Sequence, residues 1–360
     1  MNALSEKIRA LIEATGPMPV SDFMALALGD PEHGYYTTRE PFGAAGDFTT
    51  APEISQMFGE LIGIWSIAVF EALGRPERFV LAELGPGRGT LMADALRAAR
   101  IRPAFTAGAE VHLVETSPRL RALQAEALAG LAEPVWHDRV EDLPAGPAIV
   151  IANEFFDALP IRQLVRTEAG WRERMIGLGD DGRLVFGAGA SGIDPILVPD
   201  HARRAPVGTV VEIAPAAAAV MGELAERVVR HGGIVLAIDY GSAVPGTGDT
   251  LQALHRHASV DVLENPGEAD VTAHVDFAEL AMVAREFGAT VHGPVEQGDF
   301  LVALGLVERA GTLGRDKDEA TRADLVTAVE RLAAPEQMGR LFKAMAVSSG
   351  IRVPGFGRSG

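Results

Sequence analysis

Hydrophobic positions along this chain change rhythm several times, and each change predicts a different kind of structure. Ile8, Leu11 and Ile12 share one helical face behind Ser5, a candidate N-cap, and Gly16-Pro17 ends that helix. A second helix starts near Ser21 and stops at Gly29-Asp30-Pro31. Residues 31–52 have no periodicity and are rich in Gly, Pro and Thr, which predicts a long ordered loop or a lid. Ile54, Met57, Phe58, Leu61, Ile62, Trp65 and Val69 then mark a strong helix over 53–73.

From Phe79 the rhythm alternates between short apolar runs and amphipathic stretches. Strands are expected at 79–84, 111–114, 135–136, 148–151, 234–238 and 289–295, with helices at 90–99, 118–131, 214–231 and 277–287. Short apolar strands between such helices predict an α/β protein with a doubly wound, mostly parallel sheet. Residues 163–206 break the rhythm, and the turn signal Gly179-Asp180-Asp181-Gly182 between 173–178 and 184–186 marks an antiparallel β-insertion. Helices are expected at 319–332 and 337–347, with 355–360 frayed. The organisation this gives is an N-terminal helical and lid region (1–75), a sheet domain in two halves (76–162 and 209–305) around the insertion (163–208), and a C-terminal helical extension (306–360).

Composition narrows the function without choosing it. The 360 residues, 48% hydrophobic and 22% charged, are those of a globular chain rather than a disordered one. A net charge of −17, with lysine only at Lys7, Lys317 and Lys343, disfavours sequence-independent nucleic-acid binding. With no cysteine there can be no disulfide, Cys-based zinc site or thiol nucleophile. The first ten residues carry one Lys and one Arg and no apolar segment follows, so no secretory signal is expected. The longest apolar stretch, 61–73, is too short for a bilayer and contains Glu71, so no membrane insertion is expected.

Candidate chemistry begins where the first strand meets its helix, at Glu83-Leu84-Gly85-Pro86-Gly87-Arg88-Gly89-Thr90. Glycines there let backbone N–H groups approach a ligand, and the helix N-terminus adds partial positive charge. The Gly-x-Gly-x-Gly spacing differs from the dinucleotide fingerprint, and the Gly-Lys-Ser/Thr of a phosphate loop is missing. An acid beside the turn suits a ligand carrying an ammonium group, such as the amino-acid end of S-adenosylmethionine. Taken alone, the motif reads equally well as a structural turn. Glu115 closes the second strand, where an acid can accept both ribose hydroxyls. Asp138 comes after the third strand, placed for an adenine amino group with Val140 against the ring; a solvated loop acid fits equally well. The fourth strand delivers Asn153 and Glu154 to the carboxyl edge of the sheet, with Phe155, Phe156 and Asp157 next in the chain. Carboxylates among aromatic rings suit a cationic nitrogen such as a guanidinium, and Asp157 joins Glu154 if the segment turns helically.

The segments Gly46-Asp47-Phe48-Thr49-Thr50 through Gln56, Glu83 through Thr90, Val114 through Pro118 and Asn153 through Pro160 together resemble the MidA-type family. Residues 30–36, Asp239-Tyr240-Gly241 and 270–277 add to the likeness, which runs from about residue 4 to residue 304. That family comprises S-adenosylmethionine-dependent protein arginine methyltransferases that assist assembly of respiratory complex I. The resemblance implies a Rossmann-like class I methyltransferase core with a helical N-terminal region and a β-insertion. It also implies a protein substrate, the catalytic-core subunit of NADH–quinone oxidoreductase near its quinone site, and, with no leader rich in Arg and Ser, a bacterial cytoplasm.

In such a reaction a guanidinium nitrogen attacks the sulfonium methyl in line, the C–S bond breaks and S-adenosylhomocysteine leaves. Arginine stays protonated to above about pH 12, so a carboxylate must orient the group and accept its proton. Glu154 is the first candidate and Asp157 the second. Cofactor contacts are expected from Glu83, Gly85, Pro86, Gly87, Gly89, Thr90, Glu115, Asp138, Val140 and Asn153, and from a closing loop through Asp47, Thr49 and Thr50. Phe155, Phe156, Tyr240 and His274 are candidate substrate contacts. His255, His257 and His274 near Asp270 and Asp276 could suggest a metal cluster, but methyl transfer to nitrogen needs none, so no metal is expected. Two other readings remain: an assembly chaperone that binds the cofactor without transferring its methyl, and a nucleotide-dependent oxidoreductase.

Overall fold

A computed structural model describes residues 2–38, 50–256 and 258–357. The chain forms two compact units and passes between them more than once: one comprises 1–48, 157–219 and 244–274, the other 49–156, 220–243 and 275–360.

The larger unit is built on seven strands: β1 (Phe79–Leu84), β2 (Ala109–Val114), β3 (Val135–His137), β4 (Ala148–Asn153), β5 (Gly233–Ser242), β6 (Thr290–Glu296) and β7 (Phe342–Ser348). Their order across the sheet is β6-β7-β5-β4-β1-β2-β3, with the two-residue strand Val275–Asp276 added beside the end of β5. The pairs β5–β4, β4–β1, β1–β2 and β2–β3 are parallel, while β7 runs antiparallel between β5 and β6. Every residue of β1 and β4 is buried, as strands covered on both faces require of their largely apolar sequences; the polar exceptions, Glu83 and Asn153, stand at or next to the carboxyl ends. The strand order reverses between β1 and β4, and the crevice beyond their carboxyl ends is where a doubly wound sheet binds ligands.

Helices Gln56–Ala72 and Thr90–Ala99 pack closely in this unit. A β-carbon on Gly63 would lie 2.5 Å from the Ala95 carbonyl oxygen, so this approach requires glycine. The single helix expected over 53–73 is broken at Ser55, which is extended at φ −162° and caps the longer helix by accepting from the Met57 N–H at 3.2 Å. Residues 51–54 form their own short turn of helix.

Two expectations for the tail are corrected. The stretch expected as a helix over 337–347 is a four-residue helix, Met338–Leu341, and then β7 in the sheet interior. Phe342-Lys-Ala-Met-Ala-Val is apolar at odd and even positions alike, and such a run does not separate a buried strand from a buried helix. Phe356, in the segment expected to fray, is buried with its ring 5.2 Å from that of Phe300. Residues 358–360 lie outside the described residues.

The smaller unit packs helices Ala3–Thr15 and Val20–Gly29 with two antiparallel sheets. The first helix is capped by Asn2 rather than Ser5: Asn2 Oδ1 accepts from the Ser5 N–H at 2.9 Å. The expected hairpin is Gly170–Leu178 against Leu184–Gly192, and Arg162–Thr167, Val210–Ile213 and Met18–Pro19 complete its sheet. A three-stranded sheet of Gln252–His255, Ala258–Val260 and Asp270–Thr272 has no counterpart in the sequence pattern.

Candidate active site

Four strand ends of the larger unit present the candidate residues. After β1 the backbone turns through Gly85, Gly87 and Gly89 at φ 58°, 53° and 82°, left-handed conformations that glycine adopts without steric cost. The turn is closed by Gly89 N–H on the Pro86 carbonyl at 2.8 Å and tied to β2 by Gly85 N–H on the Val114 carbonyl at 3.0 Å. Thr90, the first residue of the next helix, donates its hydroxyl to Glu53 Oε1 at 2.6 Å. Glu83 is buried beneath the turn, where burial pushes its carboxyl up to about 8 despite the Met92 N–H, which favours the charged form. Its Oε2 has no hydrogen-bond partner among the described residues. A buried acid in that state ionises readily when a cation arrives beside it.

Glu115, at the end of β2, is also buried, and burial raises its carboxyl. Opposing that are Ser117 N–H on Oε1 at 2.8 Å and the Gln124 amide on Oε2 at 3.3 Å. After β3, Asp138 is exposed and paired with Arg121 at 2.6 Å, whereas Val140 is buried. Arg121 also donates to the Glu115 backbone carbonyl at 2.8 Å and so links the β2 and β3 ends.

The β4 end is built differently. Asn153 is buried, with Oδ1 lacking a partner among the described residues and Nδ2 donating to Glu154 Oε1 at 3.2 Å. Glu154 stands at φ 50°, a left-handed conformation that costs a non-glycine residue roughly 1–2 kcal/mol. Its backbone N–H donates to the Ile238 carbonyl at 2.8 Å, and its Oε1 accepts from the Ala51 N–H at 3.0 Å. The buried carboxylate of Asp239 holds the backbone beyond it: Oδ2 accepts from the N–H groups of Phe155 and Phe156 at 3.2 and 3.0 Å, and Oδ1 from the Tyr240 N–H at 2.9 Å. Residues 154–157 therefore form a bend and a turn, not the helix that would have brought Glu154 and Asp157 to one face. The Phe155 ring lies over the glycine turn, 3.1 Å from where a β-carbon on Gly85 would sit.

Other candidates fall elsewhere. Tyr240 is buried with its ring 5.4 Å from that of Phe342. Asp157 and His274 belong to the smaller unit. There Asp157 is buried and its negative charge, after burial and Asp270, helps raise the Tyr36 hydroxyl well above the usual range. His274 is exposed, its N–H donating to Thr250 Oγ1 at 2.9 Å. Thr50 is buried, while Asp47, Thr49 and His257 lie outside the described residues. His255 is engaged by its Nδ1 with the Glu268 carbonyl at 2.8 Å, and Asp276 caps helix Phe277–Glu286. Among the described residues no group of three or more His, Asp or Glu side chains is placed to hold a metal, and no helix is long and apolar enough to cross a membrane.

Sequence reasoning alone does not single out Gln124 and Asp239 as site residues. Gln124 carries a signal: it is the polar member of the stripe Leu120, Gln124, Leu128, the buried face of helix Pro118–Leu128. A buried polar residue on such a stripe needs partners. Asp239 closes an apolar strand at the ligand-binding edge, which marks the position without showing which backbone groups it holds.

The arrangement suits a nucleoside ligand with a cationic end: buried acceptors at Glu83, Glu115 and Asn153 stand at the ends of three neighbouring strands, beside a turn built on glycine. Comparison with known proteins agrees. A family model described as "Putative S-adenosyl-L-methionine-dependent methyltransferase" matches residues 61–295. The chain is 38% identical to the mitochondrial protein arginine methyltransferase NDUFAF7 of Xenopus tropicalis, over 96% of this chain and 86% of that protein. It is 35% identical to the human protein of that name, over 96% and 83%. A superfamily relative from Burkholderia thailandensis, crystallised with S-adenosyl-homocysteine, superposes with a TM-score of 0.82 at 28% identity, covering 99% of this chain and 95% of that one. The Rossmann-like class I methyltransferase fold expected from the sequence is thus the fold observed, and the chain belongs to the family of S-adenosylmethionine-dependent methyltransferases that includes NDUFAF7.

Proposed function

We propose that this methyltransferase modifies an arginine side chain of a protein, with Glu154 as the carboxylate that orients the guanidinium and takes its proton. The observation that carries the reading is the left-handed Glu154 at the end of β4. Backbone strain of this kind in a non-glycine residue persists only where its surroundings hold it, and it gathers at reacting groups. Ala51 N–H and the Asn153 amide fix one carboxylate oxygen, so the side chain is oriented before any substrate arrives.

S-adenosylmethionine supplies a methyl group on a positively charged sulfur. In the proposed site the Gly85–Gly89 turn, with Pro86 and Thr90, takes its amino-acid end, and Glu83 faces the ammonium. Glu115 accepts the ribose hydroxyls, Asp138 and Val140 border the adenine, and Asn153 lies toward the reacting group. The buried, unpartnered acceptor atoms of Glu83 and Asn153 support this assignment. The half-buried Phe155 ring is the proposed face for a guanidinium, with the buried Phe156 packed edge-on against it at 5.3 Å. Glu154 draws one N–H proton away as the nitrogen lone pair is committed to the new C–N bond. Tyr240 is proposed as a lesser contact on the acceptor side, and Thr50 as a covering residue.

The proposed target is the catalytic-core subunit of bacterial NADH–quinone oxidoreductase near the quinone site, modified in the cytoplasm. Support comes from the names of the mitochondrial relatives, which are protein arginine methyltransferases, and from the motifs shared with the family that assists complex I assembly. Incubation of the protein with methyl-labelled cofactor and that purified subunit, followed by peptide mass spectrometry, tests it. Label on an arginine is expected; no label, or label on another residue type, contradicts it.

A further inference from the structure

We propose that Gln124 is the positioning residue that locks the Glu115 carboxylate and the glycine turn into one cofactor-binding surface, an inference that rests on the cofactor assignment above. One buried amide reaches three separate cofactor segments. Its Nε2 donates to the Gly87 carbonyl at 2.8 Å and to Glu115 Oε2 at 3.3 Å, and its Oε1 accepts from Trp136 Nε1 at 2.8 Å. Trp136 lies on β3, the strand that leads to Asp138 and Val140.

Donor and acceptor rules fix the direction of this amide. The indole N–H of Trp136 can only donate, so the amide oxygen must face it; the Gly87 carbonyl can only accept, so the NH2 must face the turn. The turn also lies close against residue 124 itself: a β-carbon on Gly89 would sit 3.3 Å from the Gln124 backbone Cα and 3.5 Å from its Cγ. Glutamate at 124 would put a carboxylate against a carbonyl and against Glu115. An apolar residue would leave the Gly87 carbonyl and the Trp136 N–H without this partner.

Besides placing Glu115, the amide affects its charge. Burial raises the Glu115 carboxyl, and the Gln124 donor is one of the groups that pull it down, with Ser117 and Thr116 N–H and the Arg121 charge. Charged, the group accepts hydrogen bonds through both oxygens; protonated, one oxygen carries a donor and the group suits a ribose diol less well. Gln124 therefore acts on cofactor binding both through geometry and through the pH at which Glu115 ionises. A residue that only filled space in the core would move stability and leave that pH alone.

Calorimetric titration of the full chain with S-adenosylhomocysteine between pH 4.5 and 9 tests this, using wild type, Gln124→Met, Trp136→Phe and Glu115→Gln. The Glu115 contribution to the pH profile is the one that disappears in Glu115→Gln. In Gln124→Met the affinity should fall about tenfold or more and that midpoint should move up by about half a pH unit or more, since a lost hydrogen bond to a carboxylate disfavours its charged form. Trp136→Phe releases the amide without touching Glu115 and should shift the midpoint in the same direction by less. A wild-type midpoint in Gln124→Met overturns the inference, even if affinity falls. If Gln124→Met does not fold, an unmoved midpoint in Trp136→Phe overturns it instead. If Glu115→Gln binds as wild type does at every pH, the ribose assignment of Glu115 fails first, and that result is distinct from the other two.

Discussion

After β1 the chain turns through glycines at φ 58°, 53° and 82°, whereas after β4 it turns through Glu154 at φ 50°. The two turns flank the point where strand order reverses and ask the backbone for the same left-handed geometry. At the β1 end that geometry is relaxed, because glycine has no β-carbon to clash. At the β4 end it is strained and held from outside, by Asp239 on the next two N–H groups, by Ala51 on the carboxylate and by the Ile238 carbonyl of β5. In the proposed assignment the binding end needs only open backbone, so glycine suffices, whereas the reacting end needs a side chain at that position, so the fold carries the strain.

Four substitutions break or sharpen that contrast. The largest effect is expected at Asp239→Ala, which strips three backbone N–H groups of their acceptor at about 1–3 kcal/mol each. Tm should drop by more than about 5 °C and methyl transfer should be lost, as a thermal melt and the labelled assay would read. On the relaxed side, Gly89→Ala places a β-carbon at φ 82° and 3.3 Å from Gln124 Cα, and S-adenosylhomocysteine should bind about tenfold more weakly by calorimetry.

The pH dependence of binding comes next. Glu83 ionises near 8 rather than 4.5, so in the free protein its contribution to stability is greatest at low pH and declines as pH rises from 4.5 to about 8, where the unfolded chain has already lost that proton. A bound ammonium favours the carboxylate, so binding at neutral pH should release a proton, measurable by calorimetry in buffers of different ionisation enthalpy. Affinity should weaken as pH falls below about 8, by up to about tenfold per unit, and Glu83→Gln should flatten that slope. The smallest effect, and the one most specific to strain, is Glu154→Gly. Glycine takes φ 50° freely, so Tm should hold or rise by up to about 3 °C although a hydrogen-bonded side chain is gone; a clear fall would show that the turn is not strained.

The same contrast governs which parts of the molecule are legible in its sequence. The β1 turn announces itself because strand, glycine spacing and helix are contiguous, and the helix over Thr90–Ala99 begins and ends where the pattern places it. Glu115 and Asn153 are legible because each ends an apolar run. The supports of Glu154 are not. The bond from Phe155 to Asp239 spans 84 residues and that from Ala51 to Glu154 spans 103, and hydrophobic periodicity carries no record of which backbone N–H meets which carboxylate. β7 reads as a helix for a related reason: its apolar run fits either structure, and only pairing with β5 and β6 decides between them.

The division between a binding end and a reacting end is tested most directly by Glu154→Gln, measuring its affinity for S-adenosylhomocysteine and its first-turnover rate of methyl transfer on the same preparation. Glutamine keeps the shape and can still accept from the Ala51 N–H, but it is a poor proton acceptor. The rate should therefore fall by about a hundredfold or more, the range expected when a positioned general base is removed, with affinity within about threefold of wild type. A variant that transfers the methyl group as fast as wild type, or one that loses the cofactor, would contradict the account.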